Sequence, residues 1–250
     1  MRVRDHTSGG GKCRWYARHT PPPMTALRAE PEATSDTEFG NLDANLQFLE
    51  LSGQLVPGRR VLEIGAARGS MVRWLQSKQL EVVGLEIDAG LIDAARAKHG
   101  ALPMVRASGT ALPFATRSFD LVVSFDVFEH IADSDAHLRE VTRVLRPGGS
   151  YLLQTPNKWT NTIFETIRWR SFTRWRADHC ALHSYSGLMR RFAQHGFSTE
   201  FADVRVVTPF FREKVRRHMG WPGVWLIALA NPDRWPRPLK TNFYVRAIRR

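Results

Sequence analysis

Three groups of side chains have the chemistry and the spacing to hold and transform a ligand. The first is Glu63-x-Gly65-x-Ala67-x-Gly69, where glycines let a ligand approach the backbone and an acid stands beside them. The second is Glu86, followed by Ile87. It lies about 20 residues past the glycine loop, where a carboxylate can accept bonds from both hydroxyls of a ribose. The third is Asp126, Glu129 and His130, with His183 further along. An imidazole with an ordinary pKa of about 6.5 can take a proton from a hydroxyl at neutral pH, so His130 and His183 are the candidate general bases.

These groups need a scaffold, and the neighbouring residues describe one. Val61, Leu62 and Ile64 form a short apolar run of the kind found in buried parallel strands. Gly65 stops it, and Met71 to Leu75 has helical character. A strand, a glycine turn and a helix in that order build the nucleoside corner of an open α/β sheet. The dinucleotide pattern needs glycines at 65, 67 and 70, but Ala67 and Ser70 occupy two of these positions. A diphosphate ligand is therefore disfavoured.

Further strands are predicted at Glu81–Asp88, Met104–Val105, Asp120–Phe125, Tyr151–Thr155, Phe197 through Val204–Val207, and Thr241–Ala247. Helices are predicted over Leu42–Val56, around Leu91–Ala95 and over Ala136–Leu145. The fourth strand is apolar in its middle and so central, and it delivers Asp126, Glu129 and His130 to the sheet rim where such folds bind ligands.

The wording of the motifs adds to this. Glu63-x-Gly65-x-x-x-Gly69, Glu86-x-Asp88, Leu112-Pro113-Phe114, Ser118 to Val123, Glu129-His130 and Leu138 to Gly149 occur in the order seen in small-molecule methyltransferases. The chain resembles the class I S-adenosylmethionine (SAM)-dependent methyltransferases of type 11, a ubiquinone-biosynthesis-like family, closely over residues 60–155 and more loosely over 183–197. The resemblance implies a doubly wound, seven-stranded, mostly parallel sheet of order 3-2-1-4-5-7-6, Rossmann-like, with helical cap insertions. It implies SAM as cofactor, with Glu63, Gly65, Ala67 and Gly69 on the methionine side, Glu86 and Ile87 at the ribose, Ser108 and Gly109 at the adenine, and Asp126 at the rim. Two positions depart from the family pattern: Ala67 replaces the middle glycine, and Ser108 stands where an acid commonly meets the adenine amino group.

Residues 1–40 read as an arm outside the domain, first basic with Gly9–Gly11 and Pro21–Pro23, then polar and acidic. Met24 is an alternative start. The methyltransferase domain is expected over 41–250, with cap insertions near 156–182 and 208–238. Cys13 and Cys180 are the only cysteines, which excludes a disulfide framework and fits a reducing cytoplasm.

The net charge of +12 is lodged in residues 151–250, which hold 18 Lys and Arg against six Asp and Glu. Such a surface suits an acidic substrate, an anionic membrane or nucleic acid, or is simply an arginine-rich solvated face. Trp159, Arg168, Trp169, Arg170, Arg174, Trp175 and Arg176 alternate aromatic and cationic groups, which a cap helix explains better than base stacking. The basic Arg212–Arg217 stretch ahead of the apolar Trp221–Ala230 fits either a membrane-interface element or a lid. Asp178, His179, Cys180 and His183 are expected to line the substrate side without a metal.

The resulting expectation is methyl transfer from SAM to a small apolar or acidic metabolite, by O- or C-methylation. An RNA methyltransferase and a non-catalytic SAM-fold protein stand as alternatives.

Overall fold

The computed structural model describes residues 41–171 and 179–250, except the side chains of residues 168 and 169. The N-terminal arm and the tryptophan–arginine residues 172–178 lie outside them. Seven strands form one sheet: β1 Arg60–Ile64, β2 Glu81–Glu86, β3 Met104–Arg106, β4 Phe119–Phe125, β5 Leu145–Pro156, β6 Phe197–Ala202 and β7 Asn242–Arg249. Their order is β3-β2-β1-β4-β5-β7-β6, as expected. Pairing is parallel except along β7, which runs antiparallel to both β5 and β6.

Helices cover both faces, so successive strand residues are apolar without alternating with polar ones. On one face Leu62, Ile64, Val122, Tyr151 and Leu153 pack with Leu138 and Val141 of α4 (Ser134–Val144) and Leu188 and Phe192 of α6 (Tyr185–Gln194). On the other, Val61, Leu121, Val123 and Leu152 meet Phe48 and Leu49 of α1 (Leu42–Leu51) and Val72 and Leu75 of α2 (Ser70–Ser77). Helix α3 (Ala89–His99) follows β2 and is started by Asp88, whose carboxylate accepts from the amides of Gly90 and Leu91.

Two helices lie in the stretches expected as cap insertions: α5 (Lys158–Trp169) and α7 (Pro209–Leu229). Asn157 fixes where α5 begins. It is fully buried, its amide donates to the carbonyls of Pro238 and Lys240 at 2.9 and 2.8 Å, and its oxygen caps Trp159. Helix α7 breaks at Gly220, whose φ of 66° and ψ of −166° are not helical, two residues before Pro222. Proline lacks the N–H that would continue the ladder, so the basic and the apolar halves of α7 are separate helical pieces. Among the described residues no helix is long and apolar enough to cross a membrane.

Two strands differ from the sequence expectation. Val204–Val207 lie beyond the end of β6, because the last pair with β7 is Ala202 with Tyr244. With no strand partner left, the amides of Arg205 and Val206 donate to the side chains of Gln47 and Asp233, while Val204 and Val206 remain buried. Strand β5 starts earlier than expected, at Leu145, with an irregularity in its pairing between Phe119 and Leu121 of β4 that absorbs the Pro147-Gly148-Gly149 turn.

Candidate active site

Strand order reverses between β1 and β4, and open α/β sheets bind ligands outside the carboxyl ends of strands at such a point. A cleft of about 200 Å³ lies there. Gly65 ends β1 with φ of 79°, and a Cβ on it would sit 2.3 Å from a methyl of Val127, so only glycine fits. The amides of Gly65 and Ala66 donate to the carbonyl of Leu85, which hooks the loop onto the end of β2. Ala67 takes the left-handed conformation despite its methyl, with φ of 43°. Its amide donates to Oε2 of Glu86 at 2.9 Å.

Glu86 is buried, and its Oε1 accepts from the amides of Ile87 and Asp88 at 2.8 and 3.1 Å. A carboxylate offers about four lone-pair sites, so loop amides take most of them. One ribose hydroxyl can bond fully, and a second must share with an amide. Glu86 therefore both fastens the loop and lines the cleft. Ile87, Leu91, Ala107 and Ile131 supply apolar walls, and Glu63 and Asp126 supply polar groups.

Gly109 closes one wall. Its carbonyl accepts from Nδ1 of His137 at 2.8 Å, and Nε2 of His137 lies 3.0 Å from the Tyr151 hydroxyl, itself 2.7 Å from Ser124 Oγ. This fully buried relay anchors the wall to the sheet, and burial pushes the His137 pKa down to about 4. Two expected cofactor residues do not reach the cleft. Ser108 spends its hydroxyl on Thr110, bonding the amide at 3.2 Å and the side chain at 2.8 Å. Gly69 turns the chain into α2 with φ of 76°, and a Cβ there would meet Leu102 Cδ1 at 2.5 Å.

A second cleft, of about 230 Å³, adjoins the first, and Asp126 and His130 line both. Asp126 follows β4 with φ of 53°, and its amide donates to Oε1 of Gln154 at 2.8 Å. Left-handed backbone at a non-glycine residue costs energy, and here it aims a carboxylate where the two clefts meet. Burial raises the pKa of Asp126 against the pull of Lys214, and burial followed by the nearby Asp126 raises that of Glu129 well above the carboxylate range. Thr155 donates to Oε2 of Glu129 at 3.2 Å.

The other walls come from α5 (Thr160, Asn161, Phe164, Glu165), from the first half of α7 (Phe210, Phe211, Lys214) and from Asn45 and Tyr244. None of these was identified from the sequence. The α5 set sits at helical spacing, and nothing local marks Tyr244 or Asn45 as anything other than core.

The structure separates the two candidate bases. His130 faces both clefts, whereas His183 lines neither. The His183 ring packs on Phe128 with centroids 5.1 Å apart, its Nε2 lies 3.4 Å from Ser134 Oγ, and burial lowers its pKa to about 4. Of the residues grouped in sequence with His183, His179 lines the second cleft, the exposed Cys180 donates to the carbonyls of Glu129 and His130, and Asp178 is outside the described residues.

Residues 62–153 match the family model described as a methyltransferase domain. A probable SAM-dependent methyltransferase of Mycolicibacterium smegmatis is 36% identical over 103 residues, 41% of this chain and 40% of that protein. A demethylmenaquinone methyltransferase of Corynebacterium kroppenstedtii is 34% identical over 111 residues, 44% of this chain and 48% of that protein. The chain thus spans less than half the length of these curated relatives. A solved SAM-dependent methyltransferase of Mesorhizobium loti superposes with a TM-score of 0.58 at 19% identity, covering 82% of this chain and 98% of the other. The motifs, the match over residues 62–153 and the sheet order are all similar to those of class I, SAM-dependent methyltransferases.

Proposed function

We propose that the protein transfers a methyl group from SAM, held in the first cleft, to a small neutral acceptor held in the second. The observation that carries this reading is the junction: two adjoining clefts share Asp126 and His130, so ligands on either side meet end to end. When bound, SAM supplies an electrophilic methyl on a sulfonium. The chain's task is then positioning and exclusion of water. Glu86 and the Gly65 loop fix one partner, while Phe164, Phe210 and Phe211 give the other an apolar bed. His130 is the group placed to receive or orient an acceptor hydroxyl.

Between the apolar and acidic acceptors expected from sequence, the cleft favours the apolar. Phe164, Phe210 and Phe211 line it, and Lys214 is the one Lys or Arg among its described lining residues, so an anionic acceptor finds little counter-charge there beside Asp126, Glu129 and Glu165. The test is incubation of the full chain with methyl-labelled SAM, host small-molecule extract and, in parallel, total RNA. Label is expected in neutral, organic-soluble compounds with matching release of S-adenosylhomocysteine. Label confined to RNA, or in anionic metabolites alone, contradicts the reading.

The positive charge outside the cleft suits a peripheral contact with anionic membrane, which also brings an apolar acceptor near. Trp221, Trp225 and Leu229 are 65, 74 and 89% exposed on the second half of α7 and line neither cleft. Arg212, Arg216 and Arg217 precede them on the first half. Tryptophan beside cations is the interfacial pattern. The chain is expected to float with phosphatidylcholine vesicles containing phosphatidylserine, and Trp225→Ala to reduce this. Equal flotation without phosphatidylserine, or none with it, counts against the contact.

A further inference from the structure

The floor of the second cleft holds a grouping that methyl transfer alone does not call for. Glu129 and His130 belong to the short 3-10 turn Phe128–His130. His179 arrives from the far side, because the amide of Ala181 donates to the Glu129 carbonyl at 2.9 Å and the Cys180 thiol to the His130 carbonyl at 3.3 Å. The two imidazoles face each other with centroids 5.2 Å apart and planes at 58°, which is not a stack. One ligand atom from each of Glu129, His130 and His179 lies within 4.8 Å of the other two.

We propose that Glu129, His130 and His179 form a binding site for one divalent first-row transition-metal ion, at the point where donor and acceptor meet. Ligands about 2.1 Å from a common ion sit roughly 3–3.5 Å apart, so modest side-chain rotation closes the set. Two of the three ligands have an outer contact: Thr155 Oγ1 donates to Glu129 Oε2, and the Asn161 side-chain amide lies 3.0 Å from Nδ1 of His179, where, turned over, its oxygen would accept from Nδ1–H and leave Nε2 for the ion. Two imidazoles with one carboxylate favour manganese, iron, cobalt or zinc over the all-oxygen preference of magnesium and calcium. Buried carboxylates persist when paired or bound to metal. Glu129 and Glu165 are 2 and 3% exposed, and Asp126 shares their wall.

Three protein ligands leave positions open to the cleft for an acceptor oxygen. This catalytic part rests on the methyl-transfer reading, whereas the ion site does not. A hydroxyl coordinated there loses its proton to water more readily, and its oxygen lone pair forms the new C–O bond as the donor C–S bond breaks. The sulfonium charge is discharged in the step, and one proton is released to solvent. His130 then holds the ion instead of removing the proton itself, and the transfer is an O-methylation.

The test titrates the chelator-treated full chain with Mn2+ alone, followed by electron paramagnetic resonance, with Zn2+ alone as a second probe. One ion per chain is expected, weakened about 100-fold in His179→Ala and in His179→Gln, with SAM affinity unchanged because His179 lies outside the first cleft. Absence of binding by either ion, or equal binding by wild type and both folded variants, overturns the site. Ion binding that follows these variants in a chain unable to bind SAM leaves the site standing and strikes the methyl-transfer reading instead.

Discussion

Glu86→Ala is expected to weaken SAM binding by about 100-fold, which corresponds to roughly 2.7 kcal/mol. Hydrogen bonds to a charged group contribute about 1.5–3 kcal/mol each, so one full and one shared ribose hydroxyl reach this figure. A second loss adds to it. The same carboxylate accepts from the amides of Ala67, Ile87 and Asp88, and its removal frees the loop that shapes the cleft. Glu86→Gln keeps one acceptor oxygen and is expected to fall between wild type and alanine. Calorimetry with SAM measures the affinities, and the thermal midpoints report the loop contribution. Unchanged affinity in Glu86→Ala would mean that the ribose contact is misassigned.

Acid is expected to unfold the protein through His137 and His183. Burial lowers both to a pKa of about 4 from 6.5, so between those values the unfolded chain binds protons that the folded chain does not. Stability is therefore fully present above about pH 6.5 and falls as pH drops towards 4, by up to about 3 kcal/mol per histidine. Asp126 and Glu129 act in the opposite direction, since a carboxyl whose pKa the fold raises stabilises the folded state more at low pH.

The histidine contribution is isolated by difference. Urea midpoints of wild type and His137→Gln, followed from pH 7 to 4.5, are expected to converge, with the wild type losing about 1.4 kcal/mol per pH unit more than the variant. Parallel curves would show that His137 does not titrate in this window.

Local order was legible in the sequence because it is set by local chemistry. The Val61–Ile64 run, the left-handed turn at Gly65 and the acid ending β2 are each fixed by a few neighbouring residues, and the sheet order followed from the resemblance they carry. Some wording that looked functional holds the frame. Arg143 donates to the carbonyls of Leu112 and Phe114 and pairs with Glu140, whose carboxylate accepts from the Leu112 amide. The Leu-Pro-Phe motif and the helix that carries Glu140 and Arg143 are thus bonded to each other.

The acceptor side was not legible. Its walls come from α1, α5, α7 and β7, elements up to two hundred positions apart, and nothing local announces their meeting. His179 stood out beside Cys180 and His183, yet its partners are Glu129 and His130, brought together by hydrogen bonds of the intervening backbone. Ser108 aligned with the adenine contact but is drawn into its own turn by Thr110.

The central claim is that the corner between β1 and β2 takes a sulfonium nucleoside and not a dinucleotide. Isothermal calorimetry of the full chain against SAM, S-adenosylhomocysteine and NAD tests it directly. One SAM site per chain with a dissociation constant of about 1–100 µM is expected, displaced by S-adenosylhomocysteine, with no heat from NAD. A folded chain that is silent to SAM, or that binds NAD in its place, would contradict it.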